Sequence, residues 1–482
     1  MSDVTARERS SALVIVVLAL CGLAVSLNQT SVVPLLPRFP QLLGASMTTV
    51  SWLVTATLVT GAVCAPTLGR LGDMYGKRRM LLVAVGMNAV GSTLCALTPG
   101  VELMIAGRVF QGAALGVIPL GISVMRDLLP PARVGLGVAV MSSSLGFGGA
   151  IGLPLTGLVA EHISWRLLFV GGAALSLVLF GLVVLVVHES PLRSGGRFDL
   201  PGALGLSAAL VCLLLAITKG NEWGWGSRTV LGLLATAAVL LTVWVWFELR
   251  RTNPLVDLRV NARPAALLTN VAALLLGFAI FAPLLGATQI LQAPPATGYG
   301  FGLSLVAAGL VLLPNGAVMT IFSPVSARLS KRWGARTTLV LGTAILCVGN
   351  LAIATLPRGI PHVMLACTVA ALGTALAYSA LPLLVMAAVP PSQTAAANSL
   401  NMLMRQMGTS SCSAVTAALS SAMTMQVAGR VLPSAAAYTT IFLVTAGAAA
   451  LSGVVGLLIP RLRVADTPAD VAANTTSLRR AA

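Results

Sequence analysis

Long apolar stretches alternate with short polar ones along the whole chain. Fourteen apolar runs can be read, over residues 12–33, 49–69, 79–98, 102–125, 135–160, 166–187, 200–218, 229–249, 265–291, 302–325, 337–356, 361–388, 398–424 and 437–460. A helix crossing a hydrocarbon layer about 30 Å thick needs roughly 20 such residues. The pattern therefore predicts an all-α polytopic membrane protein with 14 spans. The first run follows Arg7 and Arg9 in the manner of a secretory leader. It continues to Val33 without a small-x-small cleavage site, so it is expected to be a retained helix.

Composition agrees with this reading. The chain is 57% hydrophobic and 9% charged, whereas soluble proteins carry about 25% charged residues. Its mean hydropathy is +0.94. The net charge of +17 raises the question of nucleic acid, but the distribution of basic residues excludes it. With loops assigned alternately to two sides from the N-terminus, 22 of the 30 Lys and Arg fall on one side and 6 on the other; Arg108 and Arg405 lie inside spans. This positive-inside bias places both termini in the cytoplasm and favours an even span count. The seven cysteines all lie in apolar segments and form no C-x-x-C pair, as expected of small apolar side chains. Arginine outnumbers lysine 27 to 3, and Ala, Gly, Leu and Val are abundant. This usage suggests a GC-rich bacterial genome, and with it a bacterial cytoplasmic membrane. The expected partners are membrane lipid and a small-molecule substrate, with the chain working as a monomer and with no metal or cofactor.

The chain also repeats itself. Residues 66–78 run Pro66, Thr67, Leu68, Gly69, Arg70, Leu71, Gly72, Asp73, Met74, Tyr75, Gly76, Lys77 and Arg78. At an offset of 258, residues 324–336 repeat the proline, the Arg-Leu pair (Arg328, Leu329), an aromatic-Gly pair (Trp333, Gly334) and the terminal Arg336. Each copy follows the second span of its half and is expected in a cytoplasmic loop. The expected organisation is a six-helix bundle over 1–187, a linker with two inserted transmembrane helices over 188–263, a second six-helix bundle over 264–460 and a disordered cytoplasmic tail over 461–482. Parallel repeats of this kind place a substrate site between them near the midplane.

The stretch from Gly69 to Arg79 resembles the signature between spans 2 and 3 of the major facilitator superfamily. With the span count, it is similar to the fourteen-span drug:proton antiporter branch, and the resemblance covers essentially the whole chain. It implies a cytoplasmic gate built from Gly69, Asp73, Gly76, Arg78, Arg328 and Arg336. Asp73 suits that task, since a carboxylate can meet arginines and the positive N-terminal end of a helix.

Arg108 and Gln111 resemble the fourth-span motif, whose arginine is linked to proton handling. The residues alone also allow a structural arginine that caps backbone carbonyls of neighbouring helices. Gly148, Gly152, Pro154 and Gly157 resemble the fifth-span antiporter motif, although Leu153 interrupts the usual adjacent Gly-Pro. In the thirteenth run, Asn398, Asn401, Arg405 and Gly408 share one helical face by their spacing, and that face is expected to line a cavity.

The branch usually carries a first-span aspartate for proton coupling. Here that stretch reads Leu27, Asn28, Gln29, Thr30, Ser31, with no acid, and every acid in the chain falls in a loop or near a span end. Asp127 and Glu161 are the remaining titratable candidates beside Arg108; Asp127 also reads as a loop ion pair. Buried arginines without a buried acid suit neutral or anionic amphipathic substrates better than strongly cationic ones. The polar positions expected to line the substrate cavity are Asn28, Gln29, Ser31, Gln111, Asn270, Gln289, Asn315, Tyr378, Asn401, Arg405 and Gln406, because polar groups in spans usually face the bundle interior.

The function implied is export of amphipathic small molecules by alternating access, in exchange for protons. A proton-coupled symporter or a uniporter for a small metabolite stays open. An ATP-driven pump is disfavoured, because Gly76-Lys77 is followed by Arg78 and lacks the upstream phosphate-loop glycine. A membrane-embedded enzyme is disfavoured too, since no H-E-x-x-H, G-x-S-x-G or Cys/His cluster occurs.

Overall fold

A computed structural model describes residues 2–32, 35–36, 38–252, 254–355, 359–427 and 429–460. The expected tail over 461–482 lies outside the described residues, as do the side chains of Arg7, Arg9, Glu161 and His162. The helices, in chain order, are α1 (Ser2–Thr30), α2 (Phe39–Leu43), α3 (Met47–Tyr75), α4 (Lys77–Leu97), α5 (Val101–Ala113), α6 (Val117–Leu128), α7 (Pro131–His162), α8 (Arg166–Val186), α9 (Leu200–Trp223), α10 (Arg228–Arg250), α11 (Leu258–Asn261), α12 (Pro264–Gln292), α13 (Leu305–Ile321), α14 (Ser323–Trp333), α15 (Ala335–Ala354), α16 (Ile360–Ala388), α17 (Thr394–Ala422) and α18 (Ala435–Leu458).

The short polar connections set the helix starts. Ser46, Ser227, Ser304 and Ser434 each accept a backbone N–H three residues on, at 3.1, 3.2, 3.2 and 3.3 Å. These side chains satisfy donors that a helix N-terminus leaves orphaned. Among the described residues, 12 helices are long and apolar enough to cross a membrane, with α5 and α6 counted together across a short 3₁₀ turn. A further span arises if α13 and α14, bent by 42°, are taken as one. The 29-residue α17 is too polar to qualify by the same measure.

Two expectations change. The repeated motif is not a loop: Pro66–Tyr75 continue α3 and residues 324–333 lie in α14, so only Gly76 and Gly334 break the helices, at φ of 121° and 87°. A small antiparallel hairpin, β1 (Thr424–Val427) with β2 (Arg430–Pro433), joins α17 to α18 in a chain expected to be all-α, Thr424 pairing with Pro433 and Val427 with Arg430. Its four-residue strands are too short to stand out from the apolar runs on either side.

The helices pack as two groups. Side chains from α1, α3, α4, α6, α7 and α8, joined across the seam by Met386 of α16 and Ala395 and Met402 of α17, form one core, and those from α12, α13, α15, α16 and α18 form two others. The groups meet along two principal seams, α3 on α17 and α7 on α13. The α7–α13 seam is close, since a Cβ on Gly157 would meet Val306 at 2.8 Å. The pair α9–α10 stands beside the other seam. Leu206, Leu210 and Leu214 of α9 pack with Ala62 of α3 and Leu403 of α17, while α10 packs chiefly on α9. At one end of α9, Lys219 bonds Glu222 at 2.8 Å and the Ser51 hydroxyl, and lies 5.0 Å from the Trp52 ring centre. The opposite end of the bundle, where α3 and α14 terminate, is called the motif end below.

Candidate functional site

At the motif end the first copy of the repeat joins the two helix groups. Asp73 is fully buried. Its carboxylate accepts the backbone N–H groups of Ala395 (3.2 Å) and Ala396 (2.9 Å) in the first turn of α17. Those amides have no partner inside their own helix, and the helix dipole favours an anion there. Lys77 lies 3.6 Å from Asp73 and bonds Asp127 at 2.5 Å. Ser190 donates to the same Asp127 oxygen at 2.5 Å. The neighbouring Arg126 bonds the Thr394 hydroxyl, again across the seam. Gly69 permits the close approach, because a Cβ there would meet the Ala395 carbonyl at 2.8 Å. Asp127 therefore lies in the last turn of α6, not in a loop, and pairs with Lys77 rather than with its neighbour Arg126.

The remaining gate candidates act within one helix group. Arg78 donates to the Val184 carbonyl at 2.5 Å near the end of α8, and its backbone N–H donates to Glu189 at 3.1 Å. A Cβ on Gly76 would meet that Glu189 carboxylate at 2.6 Å. In the second copy, Arg336 donates to the Leu457 carbonyl near the end of α18. The two arginines of the repeat therefore do the same job, each closing the C-terminus of the last helix of its group. Arg328 is exposed, and Lys331 stands at the position matching Asp73 and is exposed as well.

Deeper in the first group lies a neutral polar network around Arg108, which is 2% exposed. Its guanidinium donates to the Leu53 carbonyl (3.0 Å), the Asn28 carbonyl (2.8 Å) and the Gln111 amide oxygen (2.7 Å). Gln111 donates to Ser92 at 2.9 Å, Asn28 to Asn88 and Ser92 at 3.2 and 3.0 Å, and Asn88 to Ser176 at 2.9 Å. Five helices, α1, α3, α4, α5 and α8, are tied together with no carboxylate in the network. The sequence reading missed Asn88, Ser92 and Ser176; Asn88 and Ser92, four apart on one face of an apolar helix, carried the signal.

Arg405 in the second group is 5% exposed. Its guanidinium stacks on Tyr378 at 3.9 Å from the ring centre, and Nη1 is buried without a hydrogen-bond partner. The face shared by Asn398, Asn401 and Gly408 packs largely on α12. Asn401 donates to Asn270 at 3.0 Å, and a Cβ on Gly408 would meet Phe278 at 2.8 Å. Asn398 turns back to the Thr394 carbonyl of its own helix at 3.0 Å.

The four antiporter-motif positions serve two interfaces. Gly148 and Gly152 lie against Ser26 and Thr30 of α1, while Gly157 and Pro154 face Val306 and Gly309 of α13. Of the other cavity candidates, Ser31 bonds the Leu27 carbonyl at 2.6 Å, and Asn315 accepts from Thr368 at 3.4 Å. Gln289 is exposed and accepts from Tyr438 at 3.3 Å, while Gln29 and Gln406 are half-buried. The Glu161 side chain lies outside the described residues. No group of three metal-ligating side chains occurs among the described residues.

The family model described as Major Facilitator Superfamily matches residues 18–413, with a second, overlapping match at 267–480. The chain is 27% identical over 421 residues to "Uncharacterized MFS-type transporter YhcA" of Bacillus subtilis, covering 84% of this chain and 77% of that protein. It is 31% identical over 338 residues to the "Tetracenomycin C resistance and export protein" of Streptomyces glaucescens, covering 69% of this chain and 61% of the relative. Identity to "Multidrug resistance protein Stp" of Mycobacterium tuberculosis is 29% over 364 residues, covering 74% and 66%. The match thus spans less than two thirds of the length of the last two relatives. Among solved structures, the human organic anion transporter MFSD10 aligns with a TM-score of 0.65 at 16% identity, covering 92% of this chain and 99% of that one. The proton:xylose symporter XylE aligns with a TM-score of 0.65 at 12% identity, covering 94% and 97%. The family match over most of the chain, joined to a bundle of apolar helices in two packed groups, shows that this protein belongs to the Major Facilitator Superfamily and is a transporter rather than an enzyme.

Proposed function

We propose that this protein exports amphipathic small molecules of the drug or secondary-metabolite type across a bacterial cytoplasmic membrane, in exchange for protons. Two six-helix halves, α1–α8 and α12–α18, alternate in access, and α9–α10 form the inserted pair. Counting the bent α13–α14 and the polar α17 gives 14 spans. The motif end faces the cytoplasm, in line with the excess of arginine there. The observation that carries this reading is the bond from Asp73 to the α17 amides, a contact between halves that has to break whenever the motif end opens. The names of two relatives, one an export protein and one a multidrug resistance protein, support the substrate class.

The test is efflux of an amphipathic dye from proteoliposomes under an imposed pH gradient, with wild type and Arg108→Ala. Export that follows the gradient in wild type and becomes indifferent to it in folded Arg108→Ala supports an antiporter with Arg108 in coupling. Arg108 bonds two carbonyls and an amide oxygen and, among the described residues, no carboxylate, which favours a second reading, a uniporter, for which flux is indifferent to the gradient.

A further inference from the structure

At the motif end of the α9–α10 pair, two carboxylates converge on Gly202. Asp199 caps α9, its Oδ1 accepting the Gly202 N–H at 3.0 Å. Glu248, in the last turn of α10, accepts the Val256 N–H through Oε1 at 2.8 Å. Each side chain thus commits one oxygen to a backbone amide. The other two, Asp199 Oδ2 and Glu248 Oε2, are buried and have no hydrogen-bond partner. A Cβ on Gly202 would meet them at 2.7 and 2.8 Å, so both oxygens lie against the same glycine of α9. The residues themselves are 7% and 2% exposed.

The surrounding charges do not resolve the conflict. Arg251, the residue after α10, places Nε 4.0 Å from Asp199 Oδ2, and its side chain is 47% exposed. Arg197 is exposed two residues before Asp199. Arg70 of α3 and Asp257 lie further off, lining a cavity of about 150 Å³ with Leu255 and Val256. Asp257 is occupied in capping α11 at 3.1 and 3.2 Å. From α17, Leu400, Leu403, Met404 and Met407 join the apolar cluster that holds Leu255 and Val256.

Two ionised carboxylates facing each other repel, and each free oxygen is left desolvated without a donor. One proton between them removes a charge and supplies the missing hydrogen bond. We propose that Asp199 and Glu248 share one proton, and that this proton holds the motif end of the α9–α10 pair against the α3–α17 seam. Loss of the proton sets the two caps against each other: Asp199 holds the first turn of α9, and Glu248 holds the turn whose Leu255 and Val256 pack with Ala62 of α3 and Leu403 of α17. The inserted pair then acts as a proton-dependent clamp on the seam, whatever the substrate and whether or not a proton drives its transport.

The test is infrared titration of the full-length protein in lipid nanodiscs, with unfolding temperature measured on the same samples. Wild type is expected to show a carboxylic-acid carbonyl band near neutral pH that disappears as pH rises. Glu248→Gln and Asp199→Asn should each lose that band. If the shared proton holds the pair in place, the wild-type unfolding temperature should fall over the pH range in which the band disappears, and stay flat there in Glu248→Gln. No band in wild type overturns the proposal on its own, even if a variant fails to fold. So does a band of unchanged amplitude in both variants. A wild-type unfolding temperature indifferent to loss of the band overturns the clamp. Flux plays no part in these readouts, so failure of the exporter reading would register separately.

Discussion

Arg108 and Arg405 invite comparison. Both lie within helices, one in each half, and both are almost wholly buried. Arg108 donates to three acceptors from α1, α3 and its own helix, in a network of amides and hydroxyls. Arg405 has the face of Tyr378 and a buried Nη1 with nothing to donate to. The repeated motif shows the same contrast. Asp73 in the first copy is bonded to α17, whereas the matching Lys331 in the second is exposed. A lysine could not serve there, because a cation is repelled by the N-terminal end of a helix. One architecture, repeated, thus keeps its backbone device in both copies while placing a bonded anion in only one. A satisfied buried charge fixes structure; an unsatisfied one is a site waiting for an acceptor.

The largest effect is predicted for Arg108→Leu. It strands the Asn28 carbonyl and the Gln111 oxygen, at about 1–3 kcal/mol for each buried group left unpaired, while the Leu53 carbonyl keeps the Thr57 hydroxyl at 3.0 Å. The variant should lose about 3–5 kcal/mol in chemical unfolding of the purified protein. A loss below about 1 kcal/mol would erase the distinction between the two arginines.

Asp73→Ala ranks next. It removes two hydrogen bonds to a charged acceptor, and about 2–3 kcal/mol is expected from that loss. The motif end should open more often, read as faster thiol labelling of Ser399→Cys beside Gly69. Unchanged labelling would mean that packing along the seam, not the carboxylate, keeps that end closed.

Arg78→Ala and Arg336→Ala should each cost about 1 kcal/mol, the usual size of one hydrogen bond to a helix terminus, and should match within about 0.5 kcal/mol. Thermal unfolding of the pair tests whether the backbone device is equivalent in the two halves. Unequal losses would limit the repeat to sequence.

The smallest change is predicted for Arg405→Met. Removing a buried charge without a bonded partner should leave stability unchanged or raise it by about 1 kcal/mol. Transport of anionic amphiphiles should drop in the same variant. A large destabilisation would show that Arg405 is held as firmly as Arg108.

Much of this was legible in the chain. Hydrophobic run length located the helices, because bilayer thickness sets a length that a sequence window can read. The motif resemblance singled out Asp73, whose carboxylate the structure bonds to α17, but the partner of Asp127 proved to be Lys77 rather than a loop neighbour. The cavity assignment of Asn401 and Gly408 was less secure: spacing puts them on one face, but it does not say whether that face meets water or another helix. The structure packs them on α12. The roles of Glu189, Ser190 and Ser194 were invisible, because polar residues in a linker look alike until Asp127, Arg70 and the Asp73 carbonyl appear beside them.

By itself, the sequence determined that this chain is a polytopic helical membrane protein with a repeated charged motif. Both facts are local, one a matter of apolar run length and the other of residue identity at a fixed offset. Only the tertiary structure decided which charges are satisfied. Two of the three acceptors of Arg108 stand 55 and 80 residues away along the chain, and the amides that donate to Asp73 more than 320 away. Asp199 and Glu248 likewise meet only because the α9–α10 hairpin folds back on itself. A hydrogen bond depends on distance in space, and no spacing along the chain records it.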